Sequence, residues 1–433
     1  MTPLERLFAL EQFGIKLGLD NIGALLQALD HPERSWPSVH IAGTNGKGSV
    51  AAMVERGLRA AGLRTGRYTS PHLARIEERA AIDGAAVDSD TFAAVTSDVM
   101  EVVDRCRQTG ALTVSPTFFE VSTAVAFEVF RRRSVDVAVV EVGLGGRFDA
   151  TNVLSPVVSA IVSIAFDHER HLGTTLGAIA GEKAGIAKRG VPLVVGRVPA
   201  EAHDVIASVA RERGARLVDA TEGTTLTCTM SRGTATMALT TPTRAYPPAA
   251  LALAGRHQVD NAVVAVRILE EWSAPAGSIT PEAIATGLSA CEWPGRLEWL
   301  ACPDGGRLLI DAAHNPAGAA ALADYLRDAG VAPLPIVIAA MQDKDLAGMI
   351  GALAPVASCF VATTVPLARA RSARMLTAEI ARLSPATPVH EEASPDAAVL
   401  FALSRHQQAV AAGSILMAGP LRERLLAGGA RRV

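Results

Sequence analysis

The sequence predicts an α/β protein with a large parallel-sheet domain followed by a smaller Rossmann-like α/β domain. Three observations predict it. β-Branched runs such as "VDVAVVEV" (135–142) and "PVVSAIVSI" (156–164) read as fully buried strands, and they alternate with segments of helical period. A Gly-rich stretch, "HIAGTNGKGSVAAM" (40–53), joins a strand pattern to a helix pattern. The chain has 433 residues, too many for one ordinary core, and a second βα series begins after "WPGRLEW".

In chain order, residues 38–42 read as a short strand, and apolar residues recur at helical spacing from Val50 to Ala61, with Gly62 as a natural stop. A strand is expected at 65–68, ending in "YTSPH", and others at 135–142, 156–164 and "VPLVVG". Helices are expected over 174–187 and 256–272, and the Thr-rich alternation at 223–241 suggests a small antiparallel excursion. In the second series strands are expected at 307–310, 335–340, 357–363 and 413–418. The expected domains are 1–295 and 296–433.

Composition narrows the class. A net charge of -3 gives no electrostatic footprint for nucleic acid or an anionic membrane. No stretch approaches a membrane span, and the amino terminus lacks the apolar run of a signal peptide. The five scattered cysteines include no CxxC pair, so neither a zinc site nor a disulfide framework is indicated. A cytoplasmic location is the expectation.

The Gly-rich loop carries the clearest chemistry. Gly43, Gly46 and Gly48 let successive backbone N–H groups face an anion. The following helix adds its positive end, Lys47 a full charge and Ser49 a hydroxyl. The first domain is therefore expected to be a P-loop nucleotide-binding parallel sheet domain, although Lys47 is followed by Gly48 rather than directly by Ser or Thr. Ser70, Glu141 and His168 each follow or end a predicted strand. If those strands are parallel, all three share the loop's carboxyl edge, where open α/β sheets bind ligands. A hydroxyl, a carboxylate and an imidazole there could hold Mg²⁺ against phosphates, with the imidazole an unusual ligand for a hard ion. Each residue alone also has a structural reading, as a buried ion pair or a loop hydrogen bond. "EVGLGGRFDATN" (141–152) either shapes a pocket or makes a tight turn, and Lys183 by spacing alone is an ordinary helix-surface lysine. Asp311 and His314, in "DAAHNPAG", follow a strand of the second series.

Together these segments resemble the folylpolyglutamate synthase/dihydrofolate synthase family of the Mur ligase superfamily. The resemblance rests on "IKLGLDNIGALLQAL", "GTNGKGS", "SPHL", "TFFE", "EVGLGGRFDATN", "DHERHLGTTLGAIAGEKAGI", "HQVDNA", "PGRLE", "DAAHNP", "MQDKD" and "GSILMAG", in that order along nearly the whole chain. "DAAHNP" has Ala312 where many relatives have glycine.

The resemblance implies ATP-dependent ligation of L-glutamate to dihydropteroate, to folates, or to both, through an acyl phosphate. It implies that residues 1–295 bind ATP and the pterin and that 296–433 form a glutamate-ligase domain closing over the reactants. Gly46, Lys47, Gly48 and Ser49 would bind ATP phosphates, and Asn261, Arg296 and Asp311 would contact the nucleotide. Ser70, Glu141, His168 and a carbamylated Lys183 would hold two Mg²⁺ ions, which displaces the surface reading of Lys183. Thr117, Phe118, Phe119, Glu120, Arg147 and Asp149 would form the pterin site, with one of the two phenylalanines as plain core. Lys47, Lys183 and His314 would take part in catalysis. The implied partners are small molecules only (ATP, L-glutamate and a pterin acid), with no nucleic acid, no membrane, and a monomer as the working unit. A Mur-type ligase acting on a cell-wall precursor and a non-catalytic ATP switch are the competing readings.

Overall fold

The computed structural model describes residues 1–14, 16, 18–272, 277–303 and 305–433; Ile15 and Leu17 of the first family-like motif lie outside the described residues. The chain divides into two compact units. The first comprises Met1–Leu226, Leu239–Pro247 and Asp260–Cys291, and the second Thr227–Ala238, Pro248–Val259 and Glu292–Val433.

The first unit is built on an eight-stranded sheet. Its strands are β1 (Ser38–Ala42), β2 (Thr65–Tyr68), β3 (Ala80–Ile82), β4 (Ala85–Ala86), β5 (Val137–Glu141), β6 (Val158–Ile161), β7 (Pro192–Val195) and β8 (Arg216–Asp219). Their order is β4-β3-β2-β5-β1-β6-β7-β8. From β2 to β8 every pairing is parallel, while β3 and β4 close one edge antiparallel. Every residue of β1, β5, β6 and β7 is buried, which is why these strands read as unbroken apolar runs rather than as alternation. The register pairs Tyr68 with Val140, Ile41 with Glu141 and Ala42 with Ile161, so the carboxyl ends of the four central strands share one edge. That parallel arrangement is the condition the edge argument required.

A three-stranded sheet follows: β9 (Thr225–Ser231), β10 (Thr234–Thr240) and β11 (Ala245–Ala250), in the order β11-β10-β9. The second unit carries a seven-stranded sheet of β12 (Glu298–Ala301), β13 (Arg307–Ile310), β14 (Leu334–Ile338), β15 (Ala357–Ala362), β16 (Val389–Glu391), β17 (Gln408–Ala412) and β18 (Arg431–Arg432). Its order is β16-β15-β14-β17-β13-β12-β18, parallel from β16 to β13 and antiparallel at the β12 and β18 end. The helix Pro316–Asp328 follows β13 because Asn315 Oδ1 accepts from Gly318 N (2.8 Å) and Pro316 occupies the first turn.

Three local expectations change. The apolar run at 413–418 is not a strand. The strand is β17, and Ser414 Oγ accepts from Leu416 N (3.2 Å) to start the helix Ile415–Ala427. A short apolar run cannot be split between strand and helix by period alone, and the cap decides it. The helix after the phosphate loop begins at Lys47, ahead of the apolar spacing that starts at Val50, which places Lys47, Gly48 and Ser49 in its first turn. The β13 strand is preceded by the antiparallel β12, which the sequence reading left out.

Candidate active site

The loop after β1 is tied to the chain after β6. Thr44 N donates to Ser163 O (2.9 Å) and Asn45 N to Ser163 Oγ (2.9 Å). Thr44 Oγ1 donates to Ala165 O and accepts from Ala165 N, each at 3.1 Å. These bonds fix the loop before any ligand arrives. Gly46 sits at φ +83° with space only for hydrogen, since a Cβ there would lie 2.4 Å from Asn261 Oδ1 and 2.9 Å from Val162 Cγ1. It caps the helix Lys47–Ala60 without a side-chain acceptor, which leaves the helix amino end suited to an anion. Gly46→Ala is expected to cost roughly 1–2 kcal/mol from the left-handed backbone alone. It should also weaken ATP-analogue binding, because Asn261 must move. Calorimetric titration beside a thermal melt checks both, and an unchanged affinity would count against this geometry.

Two ammonium groups converge on one carbonyl. Lys47 Nζ donates to Gly43 O (3.1 Å) and Thr44 O (3.3 Å), and Lys183 Nζ donates to the same Gly43 O (3.0 Å). Lys183 is only 4% exposed, so its side chain points into the protein and not to the surface its spacing suggested. Burial, and then the charge of Lys47, hold its amine down at about 7, against the opposing pull of Asp167 and Asp149. Lys47 Nζ also lies 3.8 Å from Glu141 Oε1, and Glu141 Oε2 accepts from Ser70 N (3.3 Å). Ser70 and Lys47 are thus linked through Glu141.

His168 lies at φ +52° and starts the short helix Glu169–Leu172, with Nε2 3.9 Å from Asp167 Oδ1. The residues fit a hard cation in one respect that can be read directly. Ser70 Oγ is buried with no hydrogen-bond partner, next to the carboxylate of Glu141, so an oxygen pair stands ready for Mg²⁺. Among the described residues no three His, Cys, Asp or Glu side chains gather as a ready-made cage.

A cavity of about 220 Å³ opens beside this edge, lined by Gly14, Lys16, Gly18, Ser70, Pro71, Arg79, Thr117, Phe119, Glu120, Gly143, Leu144, Phe148, Asp149 and Ala150. Four of the six expected pterin residues are in its wall. Phe118 and Arg147 are not. Phe118 stacks on Phe8 at 5.7 Å, and Arg147 pairs with Glu182 and lies over the Phe148 ring. Thr117 and Glu120 have a local duty as well. Thr117 N donates to Glu120 Oε2 (2.7 Å) and Glu120 N to Thr117 Oγ1 (3.2 Å), a capping box that starts the helix Phe118–Arg132. Asp149 is buried, which pushes its carboxyl pKa up, while Leu144 N (2.8 Å) and Thr151 N (3.0 Å) donate to it and hold it toward the anion. Gly143 is required by a close approach: a Cβ there would fall 2.4 Å from the Phe119 ring.

Asn261 lies on the helix His257–Glu271 against Gly46. The other expected residues belong to the second unit. Asp311, at the end of β13, accepts from Leu297 N (2.9 Å) and Ala313 N (2.8 Å), and so shapes the "PGRLE" turn. Arg296 Nη1 donates to Gly295 O (3.2 Å), and His314 Nδ1 lies 2.9 Å from Ala312 O.

Two residues escaped the sequence reading. Asp167, whose side chain is 9% exposed, acts electrostatically on Lys183, and its place beside His168 after β6 was a usable signal. Arg79 lines the cavity, and nothing in its local spacing marks it.

A family model, "Mur ligase, glutamate ligase domain", matches residues 295–419. The dihydrofolate synthase/folylpolyglutamate synthase of Mycobacterium tuberculosis is 39% identical over 360 residues, covering 80% of this chain and 74% of the relative. The chain belongs to the folylpolyglutamate synthase/dihydrofolate synthase family. It is accordingly an α/β ligase that forms carbon–nitrogen bonds. Among solved members of the family, the M. tuberculosis folylpolyglutamate synthase complexed with ADP matches at a TM-score of 0.91 and 33% identity over 98% of both chains. A bifunctional folylpolyglutamate synthase/dihydrofolate synthase with Mn, AMPPNP and L-glutamate bound matches at 0.84 and 30% over 98% of both. No helix among the described residues of this family member is long and apolar enough to cross a membrane.

Proposed function

We propose that this chain uses ATP to join L-glutamate to dihydropteroate and to folates, and that its first unit activates the acid. The observation that carries the reading is the double position of Ser70. Its backbone N–H holds Glu141 at the phosphate edge, and the same residue lines the cavity. A pterin acid seated against Phe119 therefore has its far end directed to the edge where the loop and Lys47 lie.

A carboxylate is a poor acylating agent because oxide is a bad leaving group. One of its oxygens attacks the γ-phosphorus of ATP, the bond to the β-phosphate oxygen breaks, and ADP leaves. The loop amides, the open end of the helix Lys47–Ala60 and Lys47 Nζ offset the charge that spreads over the transferring group. The neutral amine of glutamate then attacks the acyl carbon, phosphate departs, and an amide forms. Ser70 Oγ and Glu141, with His168 in the place the resemblance gives it, would hold Mg²⁺, which would supply further positive charge to the phosphoryl transfer. Lys183, buried and with its amine held near 7, is suited to carbamylation, which needs the neutral amine. Gly46, Gly48, Ser49 and Asn261 serve nucleotide binding in this reading. Arg296, Asp311 and His314 keep the nucleotide and glutamate roles that the family resemblance implies.

Incubation with ATP, Mg²⁺, glutamate and either dihydropteroate or tetrahydrofolate, with products weighed by mass spectrometry, tests the proposal. Both acids should gain one glutamyl residue as ADP accumulates. ADP release that ignores glutamate would overturn it.

A further inference from the structure

Among the described residues, Arg79 is the one cation that is both well buried and part of the cavity wall. It is 6% exposed and ends a short turn, Ile76–Arg79. Three contacts hold it. Its backbone carbonyl accepts from Thr69 N (3.3 Å), its Nε donates to His72 Nδ1 (3.1 Å), and its guanidinium lies 4.9 Å from the centre of the Phe118 ring. Among the described residues no carboxylate pairs with Arg79, and its Nη1 is buried without a hydrogen-bond partner. Buried polar groups are nearly always satisfied, and a charged donor left without an acceptor is the more costly case. Stacking on Phe118 and the bond to His72 fix the plane of the group, so it cannot readily turn to find an acceptor of its own.

The same wall also carries an acceptor. Asp149, buried and lining the same cavity, carries carboxylate oxygens with lone pairs beyond those its loop amides use. A cavity wall with a buried cationic donor, buried carboxylate acceptors (Asp149 and Glu120) and the Phe119 ring suits a flat heterocycle whose edges carry both kinds of partner. The pterin of the proposed substrate has such edges, with an amino group and a lactam N–H as donors and a lactam oxygen and ring nitrogens as acceptors.

We propose that Arg79 is a substrate-binding residue whose guanidinium donates to an acceptor atom of the pterin ring, held in place by His72 and Phe118. The inference rests on the folate reading of the cavity and adds a contact to the acceptor-bearing edge of the pterin ring rather than to the aminobenzoyl tail. Charge-assisted donors of this kind typically change affinity by about ten- to a hundredfold.

The test is calorimetric binding, with ADP and Mg²⁺ present, of dihydropteroate and of p-aminobenzoylglutamate, which lacks the pterin. Wild type, Arg79→Met and Arg79→Lys are compared, with ADP affinity and the thermal midpoint measured for each. Arg79→Met should bind dihydropteroate at least tenfold more weakly, Arg79→Lys should be intermediate, and both should bind the pterin-free fragment and ADP as wild type does. Dihydropteroate binding within twofold of wild type in a folded Arg79→Met overturns the inference. An equal loss for the fragment also overturns it, because the contact would then be to the tail. Wild type that binds no dihydropteroate at all sinks the folate reading itself, and the inference with it. If neither variant folds, a wild-type crystal structure with dihydropteroate decides. A pterin acceptor within hydrogen-bond distance of Nη1 or Nη2 supports the contact, and none within that distance refutes it.

Discussion

Lys47→Ala is expected to lower kcat by two to three orders of magnitude, on the order of 3 kcal/mol of barrier by analogy with the loss of one oxyanion donor. The side chain is anchored at Gly43 O and Thr44 O and lies 3.8 Å from Glu141, so its charge is fixed before phosphate arrives. A preorganised cation of this kind adds most where charge develops and little to the fold. The thermal midpoint should therefore move less than the rate. Lys47 is also the second cause of the lowered pKa of Lys183, so the variant should carry a second signature. With that charge gone, Lys183 titrates at higher pH, and any residual activity should rise later along the pH axis than in wild type. Steady-state turnover across pH 6 to about 9 measures both effects. Near-normal turnover in Lys47→Ala would remove the loop from the chemistry.

The second large effect is at Lys183. Its amine moves from 10.5 in the unfolded chain to about 7 in the folded one. Below pH 7 both states hold the proton, and the penalty for a buried charge is fully present. Between about 7 and 10.5 the unfolded chain binds a proton that the folded chain does not, so stability rises with pH across that window. In metal-free, carbon dioxide-depleted buffer, Lys183→Met should flatten this rise and raise stability near pH 6 by a few kcal/mol, on the scale of about 1.4 kcal/mol per pKa unit. Chemical denaturation at pH 6 and pH 9 checks the sign, and parallel losses at both would refute the burial argument. Activity should go the other way. Lys183→Ala or Lys183→Met should abolish turnover, and a small carboxylic acid should restore part of it if a carbamate is the working form. Native intact mass of wild type under carbon dioxide-replete conditions should show the adduct, and its absence would leave the lysine as an amine.

Much of the site was open to reading in one dimension because its parts are spaced by local rules. A phosphate loop needs glycines, a cation and a helix start in a fixed order, so residues 43–49 announce themselves. Ser70, Glu141 and His168 could be assigned to one edge because strands alternating with helices pair in parallel, and the observed register shows β2, β5, β1 and β6 parallel. "TFFE" was legible in a second sense that the motif reading passed over, since Thr and Glu three apart are a helix start in their own right.

Other features depend on what lies across space. Helical spacing put Lys183 on a surface, yet the fold buries it against the Gly43 carbonyl and beside a second ammonium, and those neighbours set its acidity. The two adjacent phenylalanines are equivalent in sequence, but only Phe119 reaches the cavity, while Phe118 is held between Phe8 and Arg79. Asp167 gained its importance from Lys183, which the fold brings beside it, and Arg79 from the cavity it lines and from Phe118. The sequence by itself determined the sheet edge and the loop, because backbone geometry and period are set by near neighbours. Tertiary structure alone decided burial, the acidity of Lys183 and the make-up of the cavity wall, because solvent exclusion and electric fields act through space between residues that sequence spacing does not bring together.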